Sequence, residues 1–510
     1  MNADINPALI AGDLQIRFLR LKMNGKIYNE TQESKPKSDN DFINIKMKCL
    51  ILLISLFTLN IYAQQDEYIT VVGDSLVGRV VNGESIREVY GNVVLTQGDV
   101  VITCNKAIQY LAKNEAELIG NVIAKQDSLT ITTELAHYFG DLKKATSSSG
   151  VMLDDKKVIL TADSGDYFFR EDKAVFASNV KLFDSTATLT SEELIYYKEE
   201  DRMIAVDSVI IIQEENIIKA DSLEYFRNTR ITFASKNVSI LNPENNVQIF
   251  GDHLEDYAET HYTIIDENPL LIQIDTSYSQ RADTLVRGII DTVQIIRIDT
   301  LVIISITMEA WRDTIDLFKA TDDVKIVRSG FASINDFTLY QRDEGKIITN
   351  KINASANQPV LWYENSQLTG DSVTIYLREN QIKVLDVFNN AFILSQNEMY
   401  PARFDQTSGE RVILNFEAGE LTSTEIYGGV LSIYYMYEDK KPNGLTKSSS
   451  QSARIVIEEK EVSEVRLYGS PESEFYPEHQ VNGKEQSFTL PLFKYFDNRP
   501  DKENLLKGRL

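Results

Sequence analysis

Hydrophobic and polar positions alternate with period two through much of this chain, and the alternation restarts on a fixed beat. "GNVVLTQG" (91–98) returns as "GNVIAKQD" (120–127), "GVMLDDKK" (150–157) and "NVKLFDST" (179–186). Val93, Val122, Val151, Val180, Val209 and Val238 stand 29 residues apart, and Asn92, Asn121, Asn179 and Asn237 precede four of them. A second marker follows in each unit: Tyr110, Tyr138, Tyr167, Tyr196 and Tyr225, at spacings of 28, 29, 29 and 29. Before these tyrosines stand steps such as "LTADSGDYF" (160–168) and "IKADSLEYF" (218–226). A repeat of this size means stacked supersecondary units. Period two with β-branched residues means strands, and Gly and Asn mark the turns. Extended, 29 residues would reach roughly 95 Å, so each unit folds back as two or three short strands. The expected fold is all-β: an elongated stack of antiparallel strands, a twisted jelly-roll or β-solenoid, in which no unit buries its apolar face alone.

The beat ends after Val238, and "NPENN" (242–246) is a turn cluster. Residues 266–316 carry a different device, Asp-Thr at 275–276, 283–284, 291–292 and 299–300, eight apart. Asp-Thr pairs serve turns, so this segment is expected to be hairpins inserted between two repeat-containing halves, 66–265 and 317–495. The aspartate-glycine loops of calcium β-rolls are absent. The looser second half contains "PVLWYENSQLTGDSVTIYLREN" (359–380) and "GERVILNFEAGELTSTEIYGG" (409–429). Within it "KKPNGLTKSSSQ" (440–451) is expected to be a polar loop, and 496–510 a frayed tail.

Residues 47–63, "MKCLILLISLFTLNIYA", have a lysine, an apolar run from Leu50 to Leu59 and a small residue at the end, the pattern of a secretory signal peptide. Met47 is then the expected start and 1–46 a mis-assigned or disordered extension. Cys49 precedes the apolar run, so it is not placed as a lipoprotein cysteine. Cleavage would leave Cys104 alone, with no intramolecular disulfide. The net charge of −24 would repel phosphates and argues against a nucleic-acid partner.

The "GNV" openings, the Thr-Ala-Asp-Ser steps and the signal peptide resemble the OstA-like family, the periplasmic lipopolysaccharide-transport group related to LptA and the soluble part of LptD. In the second half "GDSVTIYLR" (370–378), "FDQTSGERV" (404–412) and "YPEHQVNGKEQSFTLP" (476–491) resemble the longer OstA-like proteins of Bacteroidetes-type bacteria. The resemblance implies an open jelly-roll whose groove shields the acyl chains of lipopolysaccharide or a related glycolipid. It also implies a periplasmic place, inner- and outer-membrane transport components as partners, and no catalytic residues or cofactors. Residues 266–316 depart from the pattern and put the continuity of such a groove in question. The stretch after residue 495 leaves no room for a membrane β-barrel, so a soluble component is expected.

The groove-lining candidates are the alternating apolar positions Val93, Leu95, Ile102, Val122, Leu129, Ile131, Val151, Leu153, Leu160, Val180, Leu182, Leu189, Val209 and Ile211. They line an oily trough or pack into a closed core; alternation alone does not separate the two. The tyrosine ladder reads as structural filling. Lys125, Lys143, Lys144, Lys156 and Lys157 are candidates for phosphate contact or plain solvated turn lysines. The four histidines show no metal spacing, no nucleophile or phosphate-loop motif appears, and Cys104 reads as a buried thiol. The acid pairs Asp154/Asp155 and Asp322/Asp323 are expected at turns. Two other functions remain open at this stage: a secreted β-helix enzyme acting on polysaccharide, and a structural surface solenoid. Open strand edges at the ends of the stack invite end-to-end self-association.

Overall fold

The computed structural model describes residues 68–509 apart from 127–128, 185–186, 214–215, 286–288, 313–315, 354, 379–380, 418 and 460, with 277–297 and 461 described by backbone alone. The expected extension, the signal peptide and Cys49 lie outside these residues. The described chain forms one antiparallel sheet of 32 strands, laid down almost in sequence order. A 29-residue unit is typically two strands of 11 or 12 residues, such as Val100–Tyr110 with Glu115–Gln126 and Ala187–Tyr197 with Arg202–Gln213, whereas around Val151 the strands are split into the shorter pieces Lys144–Ser147, Val151–Asp154, Ile159–Ala162 and Ser164–Phe168.

The repeated phrase is a corner. Strand pairing breaks register between Tyr90 and Val93, Ile119 and Val122, Ala177 and Val180, Val206 and Val209, and Ser235 and Val238. The two residues inside each break have positive φ: Gly91 and Asn92 at 75° and 45°, Gly120 and Asn121 at 76° and 46°, Ser178 and Asn179 at 66° and 53°. Gly and Asn tolerate this left-handed region best. At Gly91 a Cβ would also strike the Asp74 carboxylate. The corner asparagine is tied to the neighbouring strand: Asn92, Asn179, Asn237 and Asn390 donate Nδ2–H to Asp74, Asp163, Asp221 and Asp371 at 2.6–2.9 Å. Asp163 and Asp221 are the acids of the Thr-Ala-Asp-Ser steps, so the two sequence markers are the two halves of one joint.

Bending the repeat strands at their corners divides the sheet into two walls. Inward residues of the first wall form a cross-strand row that runs Leu95, Ile102, Ala124, Ile131, Leu153, Leu160, Leu182, Leu189, Ile211 and Ile218. It continues through Ile240, Ile249, Leu271, Ile303 and Ile326 to Ser333, Leu361, Leu368 and Ile393. The second wall answers with Phe176, Leu194, Ala205, Leu223, Ala234 and Leu254, each at most 2% exposed.

Within residues 266–316, Leu270–Leu285 pairs with Ile289–Ile304 as one long hairpin, whose base pairs on one side with Val247–Phe250 and on the other with Lys325–Arg328, and Thr307–Arg312 is a further strand between Tyr262–Asp266 and Asp316–Arg328. The Asp-Thr pairs are not turns. They lie within the strands, Asp275 opposite Asp299 and Asp283 opposite Asp291, because an eight-residue beat folded about the hairpin tip pairs with its own mirror image. Opposed like charges destabilise a sheet. Arg328 resolves the first pair, 2.7 Å from Asp275 and 2.6 Å from Asp299. Asp322 and Asp323 likewise form a corner (φ 62° and 48°) rather than a turn. "KKPNGLTKSSSQ" is strand, within Lys441–Glu458; its polarity reflects a place beside the last edge strands, not a loop.

The C-terminal segment is a docked strap, not a frayed tail. It runs back along the outward side of the first wall. Val481 and Leu490 pack with Phe392, Leu394, Ile433, Tyr435 and Leu445, and Leu505 with Leu270, Val302, Ile304 and Trp362. Two side-chain amides clasp its backbone as a strand would. Gln406 donates to Phe488 O and accepts from Leu490 N, and Gln367 donates to Lys494 O and accepts from Phe496 N, at 2.8–3.0 Å. Arg403, its side chain 4% exposed, forks onto Glu478 at 2.6 and 3.1 Å.

Arg328→Gln is expected to lower stability by about 1–2 kcal/mol in urea unfolding, since it leaves Asp275 facing Asp299. Burial pushes the Asp299 carboxyl up, but hydrogen bonds from Ser329 and Arg328 outweigh it and leave the pKa below the usual carboxylate value. The stabilisation is therefore present above the ordinary carboxylate range and lost as pH falls through the depressed folded value. The gap between wild type and variant should close between about pH 5 and pH 2.

Candidate functional site

The space between the walls is the feature a function can use, and it is not uniform. In the first five units it is filled. Twelve of the fourteen candidate positions are buried; Ile131 and Ile211 are half-buried. Leu95, Ile102, Ile131, Leu153, Leu160, Leu182, Leu189 and Ile211 share the first-wall row, and Val93, Val122, Val151, Val180 and Val209 each follow a corner. Leu129 sits two residues from Ile131 on the same face. A cavity of about 30 Å³ lies here between Ile102, Val122, Ile131, Tyr167 and Phe176.

Here the edges of the walls are tied across the interior. Tyr138 donates to Gln97 Oε1 at 2.7 Å, and Tyr167 bonds Gln126 at 2.5 Å. In the next unit Asp155 stands where those glutamines stood, and Arg227 bridges to it at 2.8 Å while lying over the Tyr196 ring. Burial pushes the Tyr196 phenol up. Gln97, Gln126 and Asp155 are 29 residues apart. Their spacing was visible in the sequence, but only the structure pairs them with tyrosines 41 residues on. Tyr110 does not belong to this ladder. Its 28-residue spacing puts it one position out of phase, and a one-residue shift reverses the face. Gln109 takes the inward place and donates to Ile69 O, while Tyr110 points outward to Glu117.

From Ile211 onward the row is less fully covered: Ile211, Ile218, Ile240 and Ile249 are half-buried, as is Tyr225. The row dips under full cover at Leu271 and Ile303 where the hairpin base crosses it. It then enters a cleft of about 380 Å³ in the second half. This is within the roughly 300–1,000 Å³ of small-ligand sites. Its lining includes the aliphatic Leu368, Ile393, Leu414, Leu421 and Ile455, with the exposed Val462, and the polar Ser366, Ser395, Thr407 and Thr424 beside them, together with Tyr363, Glu364, Glu420 and Tyr434. None of these residues was singled out from the sequence, because the second half has lost the strict beat that marks inward positions.

One ionisable group faces this cleft from inside. Asp405 accepts the Tyr435 N–H at 2.8 Å. Burial pushes its carboxyl up to about 6, against the smaller opposing pull of that hydrogen bond. Cys104 is buried and unpaired, with its thiol 3.2 Å from Lys106 O. Burial raises its pKa. Among the described residues no group of three or more His, Cys, Asp or Glu is arranged to hold a metal ion, and no helix is long and apolar enough to cross a membrane.

Residues 72–221 match the model of a family described as OstA-like protein. No curated protein matches the chain. Among solved structures, LptH of Pseudomonas aeruginosa, described as the LptA homologous periplasmic component of the conserved lipopolysaccharide transport device, is 15% identical. That match covers 34% of this chain and 85% of LptH, with a TM-score of 0.10, too low to bear on the argument.

Asp405→Asn is expected to change the pH dependence of stability in a set direction. The folded carboxyl titrates above its unfolded counterpart, so this group's contribution is fully present below about pH 4 and lost as pH rises through about 6. Denaturant unfolding at both ends of that window should show the variant gaining about 2 kcal/mol on wild type at the higher pH.

Proposed function

We propose that this protein is a periplasmic lipid-shielding bridge that carries lipopolysaccharide or a related glycolipid toward the outer membrane. The row between the walls, apolar except at Ser333, supports the reading above all else: it runs from Leu95 to Ile393, passes the inserted hairpin without a break in strand pairing, and opens into the second-half cleft. The OstA-like match over residues 72–221 agrees with it.

With a net charge of −24 the chain gains nothing at long range from an anionic headgroup. Affinity must come from acyl burial, about 0.8 kcal/mol per methylene. The cleft supplies that with aliphatic side chains, while the filled first half acts as a rigid spine. Inner- and outer-membrane transport components are the implied partners. End-to-end self-association is supported by edge strands at both ends of the stack, Ser75–Val81 and Glu461–Tyr468, with Leu76, Val80 and Val465 exposed.

Mass spectrometry of the purified mature chain should find lipid A-type molecules bound in wild type. They should be lost from Leu414→Asp, provided circular dichroism shows the β-fold retained. A wild-type protein that arrives empty and also ignores added lipopolysaccharide would refute the carrier reading.

A further inference from the structure

The two walls have very different outward faces. On the second wall several cations are paired within the sheet: Lys144 bonds Asp166 at 2.9 Å, Arg202 bonds Glu224 at 2.8 Å, and Lys106 and Lys319 sit on Glu88 and Glu309, while Lys173 lies over the Phe168 and Tyr197 rings. On the first wall, between Val100 and Phe226, the outward rows carry Val101, Met152, Ile159, Phe183 and Ile212, each 41–57% exposed. Interleaved with them are Lys125, Lys181 and Lys219, with Lys156 and Lys157 in the adjoining turn. All five lysines are exposed. None makes an ion pair with a described residue. The one carboxylate on the described strand positions of these rows is Asp154; in the adjoining described turns stand Asp155 and Asp184, and all three carboxylates are engaged by backbone N–H groups, of Lys156, of Lys157 and Val158, and of Ala187. A face with this balance stands out on a chain of net charge −24.

This stripe continues an interface that already exists. Strand to strand, Phe183 and Ile212 lead through Ile217, Leu241 and Ile272 to Val302, Val327 and Trp362, which the C-terminal strap covers. Under the strap, Gln367 and Gln406 clasp a peptide backbone. Beyond it the polar members of the same rows include the threonines Thr130, Thr132, Thr161, Thr188 and Thr190, with Lys125, Lys181, Lys219 and Asp154 as the charged ones, and the three lysines suit anions rather than amides. We infer that the outward face of the first wall, from Val100 to Phe226, docks on a lipid bilayer bearing anionic headgroups. The chain's Phe183, Ile159 and Ile212 enter the interface, and Lys125, Lys181 and Lys219 reach lipid phosphates on their flexible stems. The second wall, where these cations are paired, faces away.

The test is co-sedimentation of the mature chain with vesicles of phosphatidylethanolamine and phosphatidylglycerol, against vesicles of phosphatidylcholine alone. Binding is expected on the anionic vesicles only, falling steeply between about 0.05 and 0.5 M salt. The triple variant Lys125→Gln/Lys181→Gln/Lys219→Gln should bind at least about tenfold more weakly, and Phe183→Ser should also bind more weakly. All these side chains are exposed, so thermal unfolding should be unchanged. Leu414→Asp, which disables the interior cleft, should bind vesicles as wild type does. The inference is overturned by absence of binding, by equal binding to neutral vesicles, or by a triple variant that binds normally. Loss of vesicle binding in Leu414→Asp would also overturn it, because attachment would then run through the groove.

Discussion

The corner joint is the constraint on which everything else rests. Two residues in left-handed conformation set the bend in the repeat strands, and at four corners an asparagine amide bound to a neighbouring aspartate holds it. Without the bend the sheet would be a flat ribbon with two half-solvated faces. With it, each strand contributes to both walls, and the residue just after the corner, one of the repeated valines, is forced inward. The joint also explains why the beat is so strict. An inserted residue would rotate every later side chain to the opposite face, and hydrogen bonds between corners would lose their partners.

Much of this was written in the sequence. Period-two alternation and the 29-residue valine spacing declared a stack of strands, while Gly and Asn, read as marks of its turns, stand at Gly91–Asn92 and Gly120–Asn121 as corners within strands. What could not be read was which residues meet across the interior. Gln97 and Tyr138 are 41 positions apart and lie on opposite walls, so no local pattern links them. The Asp-Thr series misled because turn preference was applied to residues held in long strands, where mirror symmetry about the hairpin tip and a distant arginine make the opposed acids tolerable. The serine-rich stretch at 440–451 misled for a related reason: a strand near the end of a stack has little apolar surface to bury.

Filling and openness divide along the chain as rigidity and capacity do in a lined conduit. Where the phenols are latched to glutamines, side chains leave no room between the walls. Where the latch residues disappear, the same row of aliphatic groups becomes accessible. The candidates chosen from sequence fall mostly in the filled part, since strict repetition makes inward positions easy to recognise and also makes them pack tightly. The cleft lies where repetition has decayed, so the usable space is in the region least legible from the sequence.

The strap carries a consequence for the order of folding. Arg509 reaches the carbonyl of Asn268, 241 residues earlier, and Arg499 reaches that of Gly330, 169 residues earlier. Such closures carry a large loop entropy and form late. The repeat units contact only near neighbours and can assemble as the chain emerges. The outward apolar face around Leu270, Val302 and Trp362 must wait until the final residues arrive. During biosynthesis there is thus an interval in which that face lies bare, and a chaperone that recognises extended apolar sheet would find its substrate there.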